Sequence, residues 1–426
     1  MTAFSYHQGG LVCEQVPLDE IVAQLGSPVY VYSLDEMERR YRSYAAAFPD
    51  ALVCYAYKAN ASLALCQWLR ELGAGADVVS GGELRVAQAA GVPGSLTIFN
   101  GNGKSDAEIA AAIQGDVLSI NADAVEELPR LAAVAERLGR RASVTIRVNP
   151  GVDPHTHRHI ATGVTSSQFG VALAQAEAAY ARLAEFPSLD PVGVHSHIGS
   201  QITELGPFVE AVDRIAGLAR RLMRQGFPLR LLDIGGGLGI DYHRWDNDPP
   251  TSHPLTPVDL ASALLPRVAD LGLRLVLEPG RSLVASSGVL VGQVLHLKHG
   301  ADTTRAVLDT GMNALIRPSL YEAYHAVLPL RAAPPGLTAD IVGPNCESSD
   351  VVGRARQLPA LQSGDYLAIM DAGAYGYALA SNYNSRPRPA EVVVRGDRWW
   401  VTRPAETWES LLEGQKGWRE GIGSRD

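Results

Sequence analysis

The sequence predicts an α/β chain: a (β/α)8 barrel of the TIM type followed by an antiparallel β domain. Three observations carry that expectation. Between residues 36 and 284, eight short β-prone runs alternate with helix-like stretches rich in Ala, Leu, Glu and Arg. Alternation of that kind implies a parallel sheet, and eight units imply a sheet closed into a barrel. Polar and glycine-rich residues gather at the C-terminal ends of six of these runs, the face on which such barrels carry catalytic residues. After residue 285 helical periodicity fades, and short β-prone runs separated by turn residues replace it. An open doubly wound sheet is the competing arrangement.

In chain order, an amphipathic segment over residues 18–25 precedes the β-prone Val29-Tyr30-Val31-Tyr32-Ser33, and a helix pattern begins at Leu34. The eight runs are 52–57, 76–80, 96–100, 117–121, 143–149, 192–197, 231–235 and 273–278. Helical stretches such as 122–141 and 208–225 lie between them. The later β-prone runs are 288–298, 304–309, 338–343, 366–372 and 391–402, with a Pro-rich connector over 331–337. The expected domains are a barrel over 36–284 and a β domain over 285–426, to which the segment 1–35 contributes its strand near Val29.

Composition excludes several classes. The 426 residues carry a net charge of -9 with no basic stripe, so no nucleic-acid partner is expected. Cys13, Cys54, Cys66 and Cys346 show no paired spacing, which argues for a reducing compartment and against a disulfide framework or a zinc site. The first ten residues lack a basic segment followed by an apolar one, and no apolar run reaches membrane-spanning length. The expectation is a soluble cytoplasmic protein with no membrane partner.

The candidate chemistry begins at Lys58. The apolar run Ala51-Leu52-Val53-Cys54-Tyr55 leads to this lysine at a strand tip. Desolvation there lowers a lysine's pKa and frees the amine for Schiff-base chemistry. Most strand-end lysines merely reach to solvent; the company of this one argues otherwise. After the seventh run, Gly235-Gly236-Gly237-Leu238-Gly239 fails the dinucleotide pattern, because Ile240 occupies the third glycine position and no helix follows at once. A loop of small residues still makes a phosphate nest or, with no ligand, a tight barrel turn. Glu278 ends the eighth run beside Pro279-Gly280-Arg281. It suits a protonated ring nitrogen better than a phosphate, or it pairs with Arg281. His197, next to Gly199 and Ser200, can stack on a flat cofactor or serve the structure alone. No H-E-x-x-H spacing exists, so no metal is expected. The alternating His155, His157 and His159 read as a metal strip or an active-site loop.

A lysine, a phosphate nest, a carboxylate for a ring nitrogen and a stacking histidine together describe pyridoxal phosphate. At that point a resemblance emerges from motifs along nearly the whole chain. They include Tyr57-Lys58-Ala59-Asn60, Asp77-Val78-Val79-Ser80-Gly81-Gly82-Glu83, Asn149-Pro150-Gly151-Val152-Asp153 and His197-Ile198-Gly199-Ser200-Gln201. Gly235-Gly236-Gly237, Glu278-Pro279-Gly280-Arg281, Ile316-Arg317-Pro318-Ser319-Leu320-Tyr321, Tyr324-His325, Gly343-Pro344-Asn345-Cys346-Glu347 and Asp371-Ala372-Gly373-Ala374-Tyr375-Gly376 continue the set. The chain resembles the diaminopimelate decarboxylase branch of the alanine-racemase-like, fold-type III pyridoxal phosphate enzymes.

The resemblance implies roles. Lys58 is the Schiff-base lysine, His197 stacks on the pyridine ring, and Glu278 meets its nitrogen. Asp77 belongs to the cofactor site. Ser200, the backbone of Gly236 and Gly237, Gly280, Arg281 and Tyr375 hold the phosphate. Arg281, Arg317, Tyr321 and Tyr375 bind substrate, the arginines taking a distal carboxylate and Glu347 a distal ammonium. Cys346 is the acid near the reacting carbon, and Cys346 with Glu347 reaches into the other subunit of a homodimer with shared active sites. The implied reaction is decarboxylation of meso-2,6-diaminopimelate to L-lysine. A related decarboxylase acting on another diamino acid or a carrier-bound amino acid is the alternative. A racemase and a non-catalytic ligand-binding relative are further ones. Relatives usually carry Lys where Gln168 stands, an aliphatic residue at Asn345, and His-Gly-Asn-Asn-Lys in place of Asn100-Gly101-Asn102-Gly103-Lys104.

Overall fold

The structure, a computed structural model of the chain, describes residues 3–154, 168–246 and 254–417. It divides into two compact units. One comprises Ser33–Gly288 with Asp371–Ala378; the other comprises Met1–Tyr32, Val289–Met370 and Leu379–Asp426.

The first unit is a closed parallel barrel. Its strands are β1 (Leu52–Ala56), β2 (Gly75–Val78), β3 (Thr97–Phe99), β4 (Ser119–Ala122), β5 (Ala142–Asn149), β6 (Leu189–His195), β7 (Leu231–Asp233) and β8 (Arg274–Leu277). Each pairs in parallel with the next, and β8 closes on β1 with Val276 opposite Leu52. The competing open sheet is thereby set aside. All five residues of β1 are buried, as a strand covered on both faces should be. Leu52, Cys54, Ile98, Val192, Leu231 and Val276 pack into one apolar cluster drawn from five different strands, so the barrel interior is filled rather than open.

The helices between strands follow their sequence signals. Ser33 caps Leu34–Ala47, accepting from the Glu36 N–H at 3.0 Å, which satisfies one of the otherwise unpaired first-turn donors. Leu205–Arg224 buries Phe208, Val212, Ile215, Ala219 and Leu222, a spacing of three and four that lines one helical face. The amphipathic segment is the helix Leu18–Leu25, in the second unit. Among the described residues no helix is long and apolar enough to cross a membrane.

The second unit is β-rich. A three-stranded meander, Phe4–His7, Gly10–Cys13 and Val16–Pro17, accompanies a larger sheet. The order there is Val351–Leu358, Leu337–Val342, Thr304–Leu308, Gly288–His299, Val29–Ser33, Ala390–Arg395 and Arg398–Arg403. The strand near Val29 is thus an interior member. The sheet is mostly antiparallel, but Thr304–Leu308 runs parallel to Leu337–Val342, with Thr304 opposite Ala339. The intervening chain, which holds Arg317 and Val327–Pro329, is long enough to make that crossover.

Candidate active site

The C-terminal ends of the barrel strands carry a continuous polar path. Lys58 sits in the single 3-10 turn Tyr57–Ala59 that follows β1. Its Nζ donates to Asp77 Oδ2 on β2 at 2.9 Å. Asp77 Oδ1 accepts from Asn100 Nδ2 at 2.7 Å, and the same amide group reaches Glu278 Oε1 at 2.6 Å. Asn100 Oδ1 in turn accepts from Asn121 Nδ2 at 2.8 Å. Asp77, Asn100, Asn121 and Glu278 are buried, whereas the Lys58 side chain keeps 34% of its surface exposed. Of these side chains, that of Lys58 is therefore the one with surface left for a ligand.

The charge balance corrects one expectation. Burial pulls the Lys58 pKa down, but the carboxylates of Asp77 and Glu278 outweigh it and raise the amine above its ordinary value. The two acids come from β2 and the end of β8, so a lone strand-end lysine could not show them. Burial also pushes Glu278 up, yet His195 and the Lys58 ammonium hold it well below the usual carboxylate range. Burial and the neighbouring Glu278 raise Asp233 well above that range. Burial first, then the Lys58 and Arg147 cations, drive His197 far below an ordinary imidazole. The site thus holds an ionised Glu278 and a neutral His197 ring.

Around this path lies a cradle of small residues. The Gly236 N–H donates to His197 Nδ1 at 3.1 Å. A Cβ added to Gly236 would stand 2.1 Å from the Glu278 carbonyl oxygen, and one on Gly237, whose φ is +112°, 2.6 Å from that of Gly199. Only glycine fits both places. Arg281 is buried and donates through Nη2 to Ser200 Oγ at 2.9 Å and through Nη1 to Tyr242 Oη at 2.7 Å. Its guanidinium lies 4.9 Å from the Tyr375 ring centroid. Tyr375 is tied to the lysine turn, its N–H donating to the Ala59 carbonyl at 2.7 Å. Gly280 lies between these parts: its added Cβ would stand 3.1 Å from Ala59 Cβ and 3.5 Å from Tyr375 Oη. A hydroxyl and guanidinium beside tight glycine backbone suit an anion. An ionised carboxylate suits a cationic ring nitrogen, and an accessible lysine suits an aldehyde. The donor set fits a phosphorylated pyridine aldehyde.

The barrel unit therefore brings together Lys58, Asp77, His197, Ser200, Gly236, Gly237, Glu278, Gly280, Arg281 and Tyr375. The second unit holds Arg317, Tyr321, Cys346 and Glu347. Arg317 is buried and opens the short helix Arg317–Tyr321, which sets Tyr321 one turn away. Cys346 is exposed, with its N–H donating to Asn384 Oδ1 at 2.8 Å. Glu347 is exposed and accepts from Tyr383 Oη at 3.4 Å. Gln168 is exposed, and His155, His157 and His159 lie outside the described residues.

Sequence reasoning passed over several residues here. Asn100 was visible as the polar end of the third run but read only as a departure from the family pattern. His195, whose Nε2 lies 3.4 Å from Glu278 Oε2, stood in the polar end of the sixth run but was given no role, and Asp233 sits in a strand whose apolar neighbours masked it. His195, Asp233 and Glu278 bring ligand-type atoms within 4.8 Å of one another; Glu278 is already engaged by Asn100. Tyr242 lay in a stretch read as loop.

Comparison with known proteins points the same way. The family model for the pyridoxal binding domain of pyridoxal-dependent decarboxylases matches residues 34–285. The chain is 43% identical over 409 residues to a diaminopimelate decarboxylase of Aquifex aeolicus, covering 96% of each. It is similar to the crystal structure of diaminopimelate decarboxylase from M. jannaschii in co-complex with L-lysine, with a TM-score of 0.92, 37% identity, and 97% of this chain and 98% of that one covered. The Helicobacter pylori diaminopimelate decarboxylase complexed with L-lysine gives a TM-score of 0.88 at 38% identity, over 93% of this chain and 98% of that one.

Proposed function

The chain belongs to the diaminopimelate decarboxylase family of pyridoxal-dependent decarboxylases, and on that premise we propose that it converts meso-2,6-diaminopimelate to L-lysine and carbon dioxide with pyridoxal 5'-phosphate as cofactor. The observation that carries the reading is the hydrogen-bonded path Lys58–Asp77–Asn100–Glu278 beside the glycine cradle. Relatives solved with L-lysine favour that amino acid as the product.

When bound, the cofactor supplies an electron sink for the pair left behind as carbon dioxide departs. Lys58 would hold its aldehyde carbon. Glu278, kept ionised by its surroundings, holds a proton at the ring nitrogen. His197 covers a ring face without adding charge. Ser200, the backbone of Gly236 and Gly237, Gly280, Arg281 and Tyr375 bind the phosphate. Arg281, Arg317, Tyr321 and Tyr375 orient the substrate, Glu347 takes its distal ammonium, and Cys346 delivers a proton to the reacting carbon. Orientation would decide the outcome, because these side chains fix which substrate bond is presented for cleavage. On this reading the working form is a cytoplasmic homodimer in which Cys346 of the partner subunit and Glu347 of the partner subunit complete each site.

The test is a substrate panel: meso-, LL- and DD-diaminopimelate beside lysine, ornithine, arginine and glutamate. A zwitterion clamp leaves its charges unmatched by any ligand lacking a distal amino-acid head, at about 1–3 kcal/mol each. The meso isomer is expected to lead by at least about tenfold in kcat/KM, roughly 1.4 kcal/mol. A different leader overturns the substrate assignment.

A further inference from the structure

Tyr324-His325 belongs to the matching motifs, yet neither residue has a role in the reaction as described. His325 is fully buried in the β-rich unit. Its Nδ1 lies 2.7 Å from the Met370 carbonyl oxygen, and its Nε2 lies 2.7 Å from Arg317 Nη1. A carbonyl oxygen can only accept, so Nδ1 carries the proton. A guanidinium can only donate, so Nε2 presents its lone pair to Arg317. The two partners together select one tautomer of a neutral ring; an imidazolium would set an N–H against an N–H.

We propose that His325 is a positioning residue for Arg317, fixing the guanidinium that reads the substrate's distal carboxylate. An arginine has a long, rotatable stem, and each rotamer frozen only on binding subtracts from affinity. A buried acceptor on Nη1 removes that freedom beforehand while consuming one of the five donors. The acceptor is itself held. The His325 carbonyl accepts from Arg356 Nη2 at 3.0 Å, and the Arg356 guanidinium covers the Tyr324 ring at 3.9 Å. Arg317 is buried as well, at the start of its short helix. His325 spends its second nitrogen on the side chain assigned to substrate.

The inference rests on the proposed role of Arg317, so the experiment separates the two. L-Lysine and cadaverine differ by one carboxylate, and each is measured as an inhibitor of the holoenzyme. His325→Asn keeps a donor at the Nδ1 position and loses the Nε2 acceptor; His325→Gln places an acceptor at the Nε2 position. His325→Asn is expected to raise the lysine inhibition constant and the diaminopimelate KM by about tenfold, with cadaverine unmoved and kcat within about threefold. His325→Gln stays within about threefold of the parent for lysine. Equal losses for lysine and cadaverine, or no loss in the Asn variant, overturn the proposal. Arg317→Ala is the control. If it leaves the preference for lysine over cadaverine intact, the reading of Arg317 fails and the proposal with it. If it abolishes that preference while His325→Asn does not, His325 alone is refuted.

Discussion

Lys58 Nζ and Asp77 Oδ2 stand 2.9 Å apart at the ends of adjacent barrel strands, and that pair sets the resting state of the site. With Glu278 also near, the amine is held as an ammonium rather than freed by desolvation. Cofactor capture must therefore move a proton off Lys58, and Asp77 is the nearest base to take it.

The first prediction follows from which lysine is open to the site. Borohydride treatment of the cofactor-loaded protein should leave a pyridoxyl group on Lys58, read by peptide mass spectrometry. Lys58→Ala should abolish turnover even where cofactor remains bound. A pyridoxyl group on another lysine removes Lys58 from the chemistry.

Asn100 joins two buried carboxylates through one amide. Asn100→Leu keeps the volume and removes the donor. Buried acceptors left unsatisfied cost about 1–3 kcal/mol, and a loss of that size is expected in urea unfolding at unchanged m-value. Asn100→Asp sets a further carboxylate against these two, so its loss should be larger at about pH 8 than at about pH 5, as ionisation is forced on the cluster. A neutral result for both variants would mean that the amide does not bridge Asp77 and Glu278.

Much of this was legible in the sequence, for physical reasons. Barrel strands covered on both faces read as apolar β-prone runs, and their active ends read as abrupt changes to glycine and polar residues; that is why Lys58, His197 and Glu278 stood out. The strand Val351–Leu358 did not, because Arg354 and Arg356 interrupt its apolar pattern. Asp371–Ala378 lies with the barrel unit through contacts that no periodicity encodes. The sign of the Lys58 shift was hidden for the same reason: Asp77 and Glu278 are remote in sequence and meet only in the closed barrel.

Glu83 offers a pH signature. It stands at the start of the helix Gly81–Ala89, accepts from the Val79 N–H at 2.8 Å, and is pushed up to about 7 by burial, with Asp77 adding to the rise. A carboxyl raised in the folded state contributes stability that is complete below its ordinary pKa and is lost as pH rises through about 7. Glu83→Gln keeps the acceptor and cannot ionise. Its melting temperature relative to the parent should thus be higher at about pH 8 than at about pH 5. A difference that does not change with pH would place the Glu83 titration outside that window.

The last prediction concerns assembly. Lys58 and Cys346 belong to different units of the chain, and the proposed homodimer draws them from different subunits. A Lys58→Ala chain and a Cys346→Ala chain are each expected to be inactive alone. In a mixed dimer, one of the two sites would carry both substitutions and the other neither. Random exchange of equal amounts makes half the dimers mixed, so activity should return toward about one quarter of the parent level, set by this statistical limit. Tagged chains purified as heterodimers should reach about half, one working site in two. If exchange is verified by mass and no activity returns, both residues serve a site within one chain and the shared-site arrangement is wrong.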